Sequence, residues 1–328
     1  MPDQWLDPAF RGLVASGAEQ WSLNTLPAIR TRVHSGFKPE HRARCEVRWI
    51  PGPDTARLRL CLYRPKGLGP DASLPAILSI HGGGFVLGRP EMADDFLADL
   101  ADELSAFIVA VDYRLAPEHS FPAPLDDCYS ALAWLFENSQ DLSLDPRRIA
   151  VMGHSAGGAL AAALAIMARD RARFPLAGQV LIYPMLDHRT GSAQSPYPSG
   201  QTGTFSWLPE PNQFCWTCLR GGYALDDERV GLFSPALQPD LRNLPPTFIA
   251  VGSQDLFLEE DVDFAMRLSR AGVAMELHVY PGAPHMFDQV PGRIADQLTL
   301  DIVRALKGLL SSSHACPPCP SASAAPLR

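Results

Sequence analysis

The sequence predicts an α/β fold, a mostly parallel sheet flanked by helices with a helical cap, and three features of its 328 residues support this. From residue 74 onward, short apolar or β-branched runs alternate with helical patterns. At 153–158, Gly153-His154-Ser155-Ala156-Gly157-Gly158 joins a strand-like run (149–152) to an alanine-rich helix-like run (159–168). Two segments, 1–42 and 187–232, stand outside the alternating rhythm.

Residues 1–42 carry Trp5, Leu6, Phe10, Leu13 and Val14 at helical spacing and read as the N-terminal part of the cap. Residues 45–50 and 56–63 read as a hairpin about Pro51-Gly52-Pro53-Asp54, adding antiparallel strands at one end of the sheet. Strand 75–80, helix 91–104, strand 106–112, helix 124–138, strand 148–153, helix 156–170 and strand 179–184 follow. The aromatic-rich insertion 187–232 then interrupts the pattern. It resumes as strand 246–252, helix 258–271, strand 275–280 and helix 292–310, so the core comprises 43–186 and 233–310. An insertion that leaves the sheet after one strand and returns before the next is expected over the carboxyl edge, where open α/β sheets bind ligands. In helix 258–271 the local signals agree: Glu259, Glu260 and Asp261 in the first turn, Arg267 and Arg270 in the last, Gly272 at the C-cap. Residues 311–328, with four prolines among serine and alanine, read as a disordered tail.

Lys plus Arg number 28 against 36 Asp plus Glu, a net charge of −8, and no basic run stands out, which argues against nucleic acid as a partner. The longest apolar stretch, 159–168, is too short to span a bilayer, and the first residues lack a basic n-region and an apolar h-region, so the expected location is cytoplasmic. Seven cysteines, an odd number scattered along a large chain, read as reduced thiols. Cys215-Trp-Thr-Cys218 and Cys316-Pro-Pro-Cys319 have zinc-ligand spacing, but they lie far apart and the second falls in the tail; no metal or other cofactor is expected.

A serine at the tip of a tight strand-to-helix turn is pushed out of the sheet, and Gly153 and Gly157 remove side chains that would collide there. Ser155 therefore reads as a nucleophile, which needs a base to take its proton and a third group to orient that base. Strand 246–252 ends in Gly252-Ser253-Gln254-Asp255, and the loop after strand 275–280 holds His285 between Pro284 and Met286. Both follow strands at the same sheet edge as Ser155. Glu259, Glu260 and Asp261 are rival acids but fall inside a helix; His278 lies in a strand, His34 and His41 in the N-terminal segment, His314 in the tail. His81-Gly82-Gly83-Gly84-Phe85 follows strand 75–80, and the amides of Gly83, Gly84 and Ala156 are the expected donors to an anionic oxygen. Phe85, Trp207, Phe214 and Trp216 read either as substrate-pocket lining or as ordinary cap core.

His81-Gly-Gly-Gly-Phe85, Asp112-Tyr-Arg-Leu-Ala-Pro-Glu-His119, Phe121-Pro-Ala-Pro124, Gly153-His-Ser-Ala-Gly-Gly158, Leu181-Ile-Tyr-Pro184 and Leu244-Pro-Pro246 together resemble the hormone-sensitive-lipase-like esterases of the α/β-hydrolase superfamily. The resemblance, over roughly residues 40–310, implies an α/β-hydrolase fold and the order Ser155, Asp255, His285. It also implies carboxylic-ester hydrolysis through an acyl-enzyme, no cofactor, and a cap made from the N-terminus and the insertion. Two positions depart from the family pattern. His154 stands where many members have aspartate, either as a second imidazole beside Ser155, toward the substrate, or as a ring packed beneath the turn; Leu256 stands where many have proline. Asp112, Arg114 and Glu118 read as loop-holding ion-pair partners. The expected function is a carboxylesterase acting on a small-molecule ester with a short- to medium-chain acyl group. The same triad would also serve an amidase or formamidase. A receptor-like binding module would keep the pocket and lose the histidine, which His285 argues against. The last strand, if exposed, could pair across a homodimer.

Overall fold

The computed structural model describes residues 2–13, 20–36, 45–67, 73–197 and 202–311. Its eight strands are β1 (Cys45–Pro51), β2 (Arg57–Tyr63), β3 (Leu74–Ile80), β4 (Phe107–Asp112), β5 (Leu144–His154), β6 (Gly178–Ile182), β7 (Thr247–Gly252) and β8 (Met275–Tyr280). They form one sheet in the order β1-β2-β4-β3-β5-β6-β7-β8. β1 and β2 pair antiparallel, as do β2 and β4, and the remaining neighbours are parallel. The chain builds outward from β3 to β4 on one side and from β5 through β8 on the other. The crevice between the carboxyl ends of β3 and β5 is thus the switch point at which such sheets hold their ligands.

The helices are α1 (Leu26–Gly36), α2 (Asp94–Leu104), α3 (Ala123–Glu137), α4 (Ala156–Asp170), α5 (Pro209–Arg220), α6 (Val230–Phe233), α7 (Leu258–Arg270) and α8 (Arg293–Leu309). They cover both faces of the sheet, which is why the central strands read as unbroken apolar runs. Ala76, Leu78 and Ile80 of β3, with Ile149 and Val151 of β5, join a core containing side chains of α3, α4 and α7. Ile77, Ala150 and Met152 face the opposite core, with α2, α8, Leu6 and Phe10. Every residue of α4 from Ala156 to Ala168 is buried, and its small side chains let the helix lie close to the sheet directly behind Ser155.

Most predicted elements fall within a few residues of their observed bounds, and the exceptions have local causes. β5 starts at Leu144 instead of 148, because Leu144 pairs with Leu74 before a register shift to the Ala76–Ile149 pair. α2 starts at Asp94, after a 3-10 turn over Pro90–Ala93. The spacing of Trp5 to Leu13 does not produce a helix; it gives two 3-10 turns, Pro2–Trp5 and Pro8–Leu13. Pro8 lacks the amide a helix would use, and Asp7 instead accepts from the Ala9 N–H at 2.9 Å. Leu6 and Phe10 are buried and Trp5 is exposed, while Val14 lies outside the described residues. So do 312–328, with Cys316 and Cys319. Cys215 and Cys218 are free thiols buried along α5. Among the described residues no helix is long and apolar enough to cross a membrane.

The loop after β4 is fastened on three sides. Asp112 pairs with Arg59 at 2.7 Å, Arg114 with Asp127 of α3 at 2.9 Å, and Glu118 with Arg30 of α1 at 2.7 Å. Arg30 also donates to the Val86 and Ala116 carbonyls at 2.6 and 2.8 Å, so α1 reaches the loop that follows β3. Arg30 holds the Glu118 carboxyl down at about 2, well below its ordinary value.

Candidate functional site

Ser155 sits between β5 and α4 with φ 54° and ψ −119°, a conformation that disfavours a side chain and persists only under strong local constraint. That constraint is visible. The Ser155 N–H donates to the Ile182 carbonyl at 2.9 Å, and its own carbonyl accepts from Met185 at 3.1 Å. The flanking glycines have no room for a methyl group: a Cβ on Gly153 would lie 2.1 Å from the Gly157 carbonyl oxygen, and one on Gly157 would lie 2.1 Å from that of Ile80. Absence of side chains is what lets the turn press against the end of β3.

From this turn Ser155 Oγ reaches His285 Nε2 at 2.9 Å, and His285 Nδ1 reaches Asp255 Oδ2 at 2.8 Å. The other Asp255 oxygen accepts from the Phe257 N–H at 3.0 Å. A carboxylate only accepts, so Nδ1 carries the imidazole proton, and the bare Nε2 then accepts from the serine hydroxyl. Asp255 and His285 are 0% and 1% exposed, and Ser155 7%, so the hydrogen-bonded chain lies almost wholly out of water, where each contact is electrostatically stronger.

Several groups unanticipated from sequence hold the imidazole. Tyr183, with φ 38°, lays its ring edge-on to His285 at 4.7 Å and donates its hydroxyl to Asp288 Oδ1 at 2.6 Å. Phe257 meets the imidazole at 5.0 Å and 90°, and Ser206 Oγ donates to the His285 carbonyl at 2.7 Å. Tyr183 belongs to the Leu181–Pro184 motif and Asp288 follows His285 by three residues, so both carried a faint signal; Ser206 carried none.

The loop after β3 is shaped by positive φ at Gly83 (115°) and Gly84 (59°). Its Gly83 carbonyl accepts from Val86 and Leu87 at 3.1 and 3.0 Å. Among the described residues the Gly83 and Gly84 N–H groups have no backbone or side-chain acceptor, and Ala156 opens α4, where the first amides lack helical partners. The loop is packed from below and above. His81 stacks on Tyr113 at 4.2 Å, and burial pushes its imidazole pKa down. On the other side, a Cβ on Gly84 would come within 2.6 Å of Cys215 Sγ and 3.3 Å of the Trp207 ring.

Of the pocket candidates, Trp207 comes nearest the imidazole, at 5.9 Å, and also meets Trp21 at 5.6 Å. Phe214 meets Trp21 at 6.1 Å. Phe85 is buried against Trp216 at 5.1 Å, and Trp216 packs on Phe233 at 5.3 Å. His154 places its ring 6.0 Å from Phe96 and 5.9 Å from Tyr183, and burial lowers its pKa. The rival acids do fall inside a helix, α7, and two of them are enclosed by the protein. Glu260 is buried and accepts from the Leu186 N–H at 2.7 Å and from the Thr190 hydroxyl. Asp261 is fully buried, and among the described residues neither of its oxygens has a hydrogen-bond partner. Burial drives both carboxyls well above their ordinary pKa, and Asp255 is the acid bonded to His285.

A hydrogen-bonded serine, histidine and aspartate at the switch point of a mostly parallel sheet, beside a glycine loop, is the arrangement of an α/β hydrolase. The chain belongs to that family: residues 77–289 match its model, described as the alpha/beta hydrolase fold. The chain is 34% identical over 257 residues to the ethyl acetate hydrolase of Pseudomonas putida, covering 77% of this chain and 79% of that one. Among solved structures, a bacterial heroin esterase aligns with TM-score 0.85 at 30% identity, over 95% of this chain and all of that one. The Pyrobaculum calidifontis esterase aligns with TM-score 0.80 at 30% identity, over 93% and 99%. The resemblance to hormone-sensitive-lipase-like esterases read from the motifs is borne out.

Proposed function

We propose that this chain is a carboxylesterase that hydrolyses small esters of short- to medium-chain acids through a Ser155 acyl-enzyme. The carrying observation is the unbroken hydrogen-bond path from Ser155 Oγ through both nitrogens of His285 to Asp255. As Oγ attacks the acyl carbonyl carbon, its proton passes to His285 Nε2, and Asp255 stabilises the resulting imidazolium. The carbonyl oxygen becomes anionic and is met by the amides of Gly83, Gly84 and Ala156; each such donor is typically worth about 3 kcal/mol in the transition state. Collapse breaks the bond to the alcohol oxygen, which leaves with the proton from Nε2. Water then attacks the acyl-enzyme, giving its proton to the same nitrogen; release of the acid returns that proton to Ser155.

The ester class is supported by relatives named as ester hydrolases. The acyl-length preference rests on the burial of Ser155 and on Trp207 and Cys215 closing over the glycine loop. Turnover of p-nitrophenyl esters from acetate to palmitate tests the reading: kcat/KM peaks at or below about eight carbons, and Ser155→Ala lowers kcat by about 1000-fold or more. Turnover that survives in Ser155→Ala overturns it.

A further inference from the structure

We propose that the insertion between β6 and β7 is a working part of the catalytic centre, with Ser206 as the positioning residue that couples its docking to the alignment of His285. The proposal rests on the Ser155–His285–Asp255 reading above.

Ser206 lies in the insertion, far in sequence from His285, yet its Oγ–H donates to the His285 carbonyl at 2.7 Å. It does so from φ 62°, where a side chain costs roughly 1 kcal/mol or more, the kind of outlier that persists where the surroundings enforce it. Met286, just after His285, is likewise at φ 60°. The peptide between His285 and Met286 is thus fixed in an uncommon conformation with its oxygen held by the hydroxyl, which sets where the imidazole emerges from the chain.

Three residues earlier, the Gly203 N–H donates to the Gln254 carbonyl at 3.2 Å, immediately before Asp255. Gly203 lies so close to the next residue that a Cβ there would stand 2.5 Å from Leu256 Cδ1. One short stretch therefore grips both the acid loop and the base loop. The Trp207 indole N–H donates to Asn212 at 3.2 Å, and Asn212 donates to the Thr190 carbonyl at 2.8 Å, which ties that stretch to α5 and to the start of the insertion. From α5, Cys215 bears on Gly84. All three loops that bring chemistry to Ser155 are touched by the insertion, and lifting it removes the Ser206 bond from the base. Because Ser206 holds the base and not the substrate, its loss acts on kcat and spares KM.

The test compares the full-length protein with Ser206→Gly and Ser206→Ala, using p-nitrophenyl butyrate turnover, the rate of Ser155 phosphonylation by excess fluorophosphonate, and thermal unfolding. Glycine removes the hydroxyl while relieving the left-handed backbone, two effects on stability of opposite sign and similar size, so a serine with no part in positioning His285 predicts unchanged activity. The proposal predicts instead that kcat and the phosphonylation rate fall about 5- to 10-fold in both variants, with KM within twofold and the melting temperature of Ser206→Gly close to that of the unaltered protein. Unchanged kcat in Ser206→Gly, or a loss confined to KM, overturns the proposal. No labelling of Ser155 in the unaltered protein would instead refute the triad reading, so the two failures are distinguishable.

Discussion

Replacing Gly157 by alanine probes the contact on which the site's geometry depends, the closeness of the serine turn to the strand that feeds the glycine loop. The added Cβ would stand 2.1 Å from the Ile80 carbonyl oxygen and 2.5 Å from that of His81, both backbone atoms that no rotamer change can move. Restoring an ordinary separation requires the end of β3 and the turn to part by roughly 1 Å. Overpacking of this kind costs about 1–3 kcal/mol of stability. A displacement near 1 Å between nucleophile and oxyanion donors costs about 100-fold in rate, equivalent to ~2.7 kcal/mol of transition-state stabilisation. Steady-state kinetics on p-nitrophenyl butyrate with denaturant unfolding of the same protein measures both. Gly272→Ala is the control: φ is +78° but a Cβ would have nothing within 4 Å, so it loses about 1 kcal/mol of stability and no activity. Gly157→Ala with kcat/KM within twofold of the unaltered enzyme would refute the steric reasoning.

Asp255→Asn leaves the fold intact but no longer stabilises the Nδ1–H form of His285, and kcat falls by about 10,000-fold, a loss read from kcat at saturating substrate. Tyr183→Phe removes the hydroxyl bonded to Asp288 and costs about 1.5–3 kcal/mol in urea unfolding; a stability equal to the unaltered protein's contradicts the value assigned to that bond. Asp261 changes the pH dependence of stability. Because burial raises its folded pKa above the unfolded value, its contribution is complete below the ordinary carboxyl range near pH 4 and declines as pH rises toward the folded pKa. Asp261→Asn does not titrate, so its stability relative to the unaltered protein improves from pH 5 to pH 8; parallel urea curves at the two pH values would exclude the effect.

What the sequence made legible follows the range of the forces involved. The parallel sheet could be read because strands buried on both faces leave apolar runs, as in β3 and the 149–153 part of β5. Ser155, Asp255 and His285 could be ordered because each follows a strand, and the carboxyl ends of parallel strands share one edge. Residues joined only through space stayed hidden: nothing local links Ser206 to His285 or Cys215 to Gly84. Glu260 and Asp261 stand in the first turn of α7, and their burial comes from tertiary packing that sequence spacing does not reveal, as in the Leu186 N–H that donates to Glu260. The helical spacing of Trp5 to Leu13 misled because Pro8 and the Asp7 side chain favour a tighter turn.

Mass mapping after fluorophosphonate treatment locates the nucleophile itself. One adduct is expected, on Ser155, forming at least 100-fold more slowly once His285 is replaced by alanine. An adduct on another residue, or labelling of Ser155 that proceeds unchanged without His285, would contradict the triad reading.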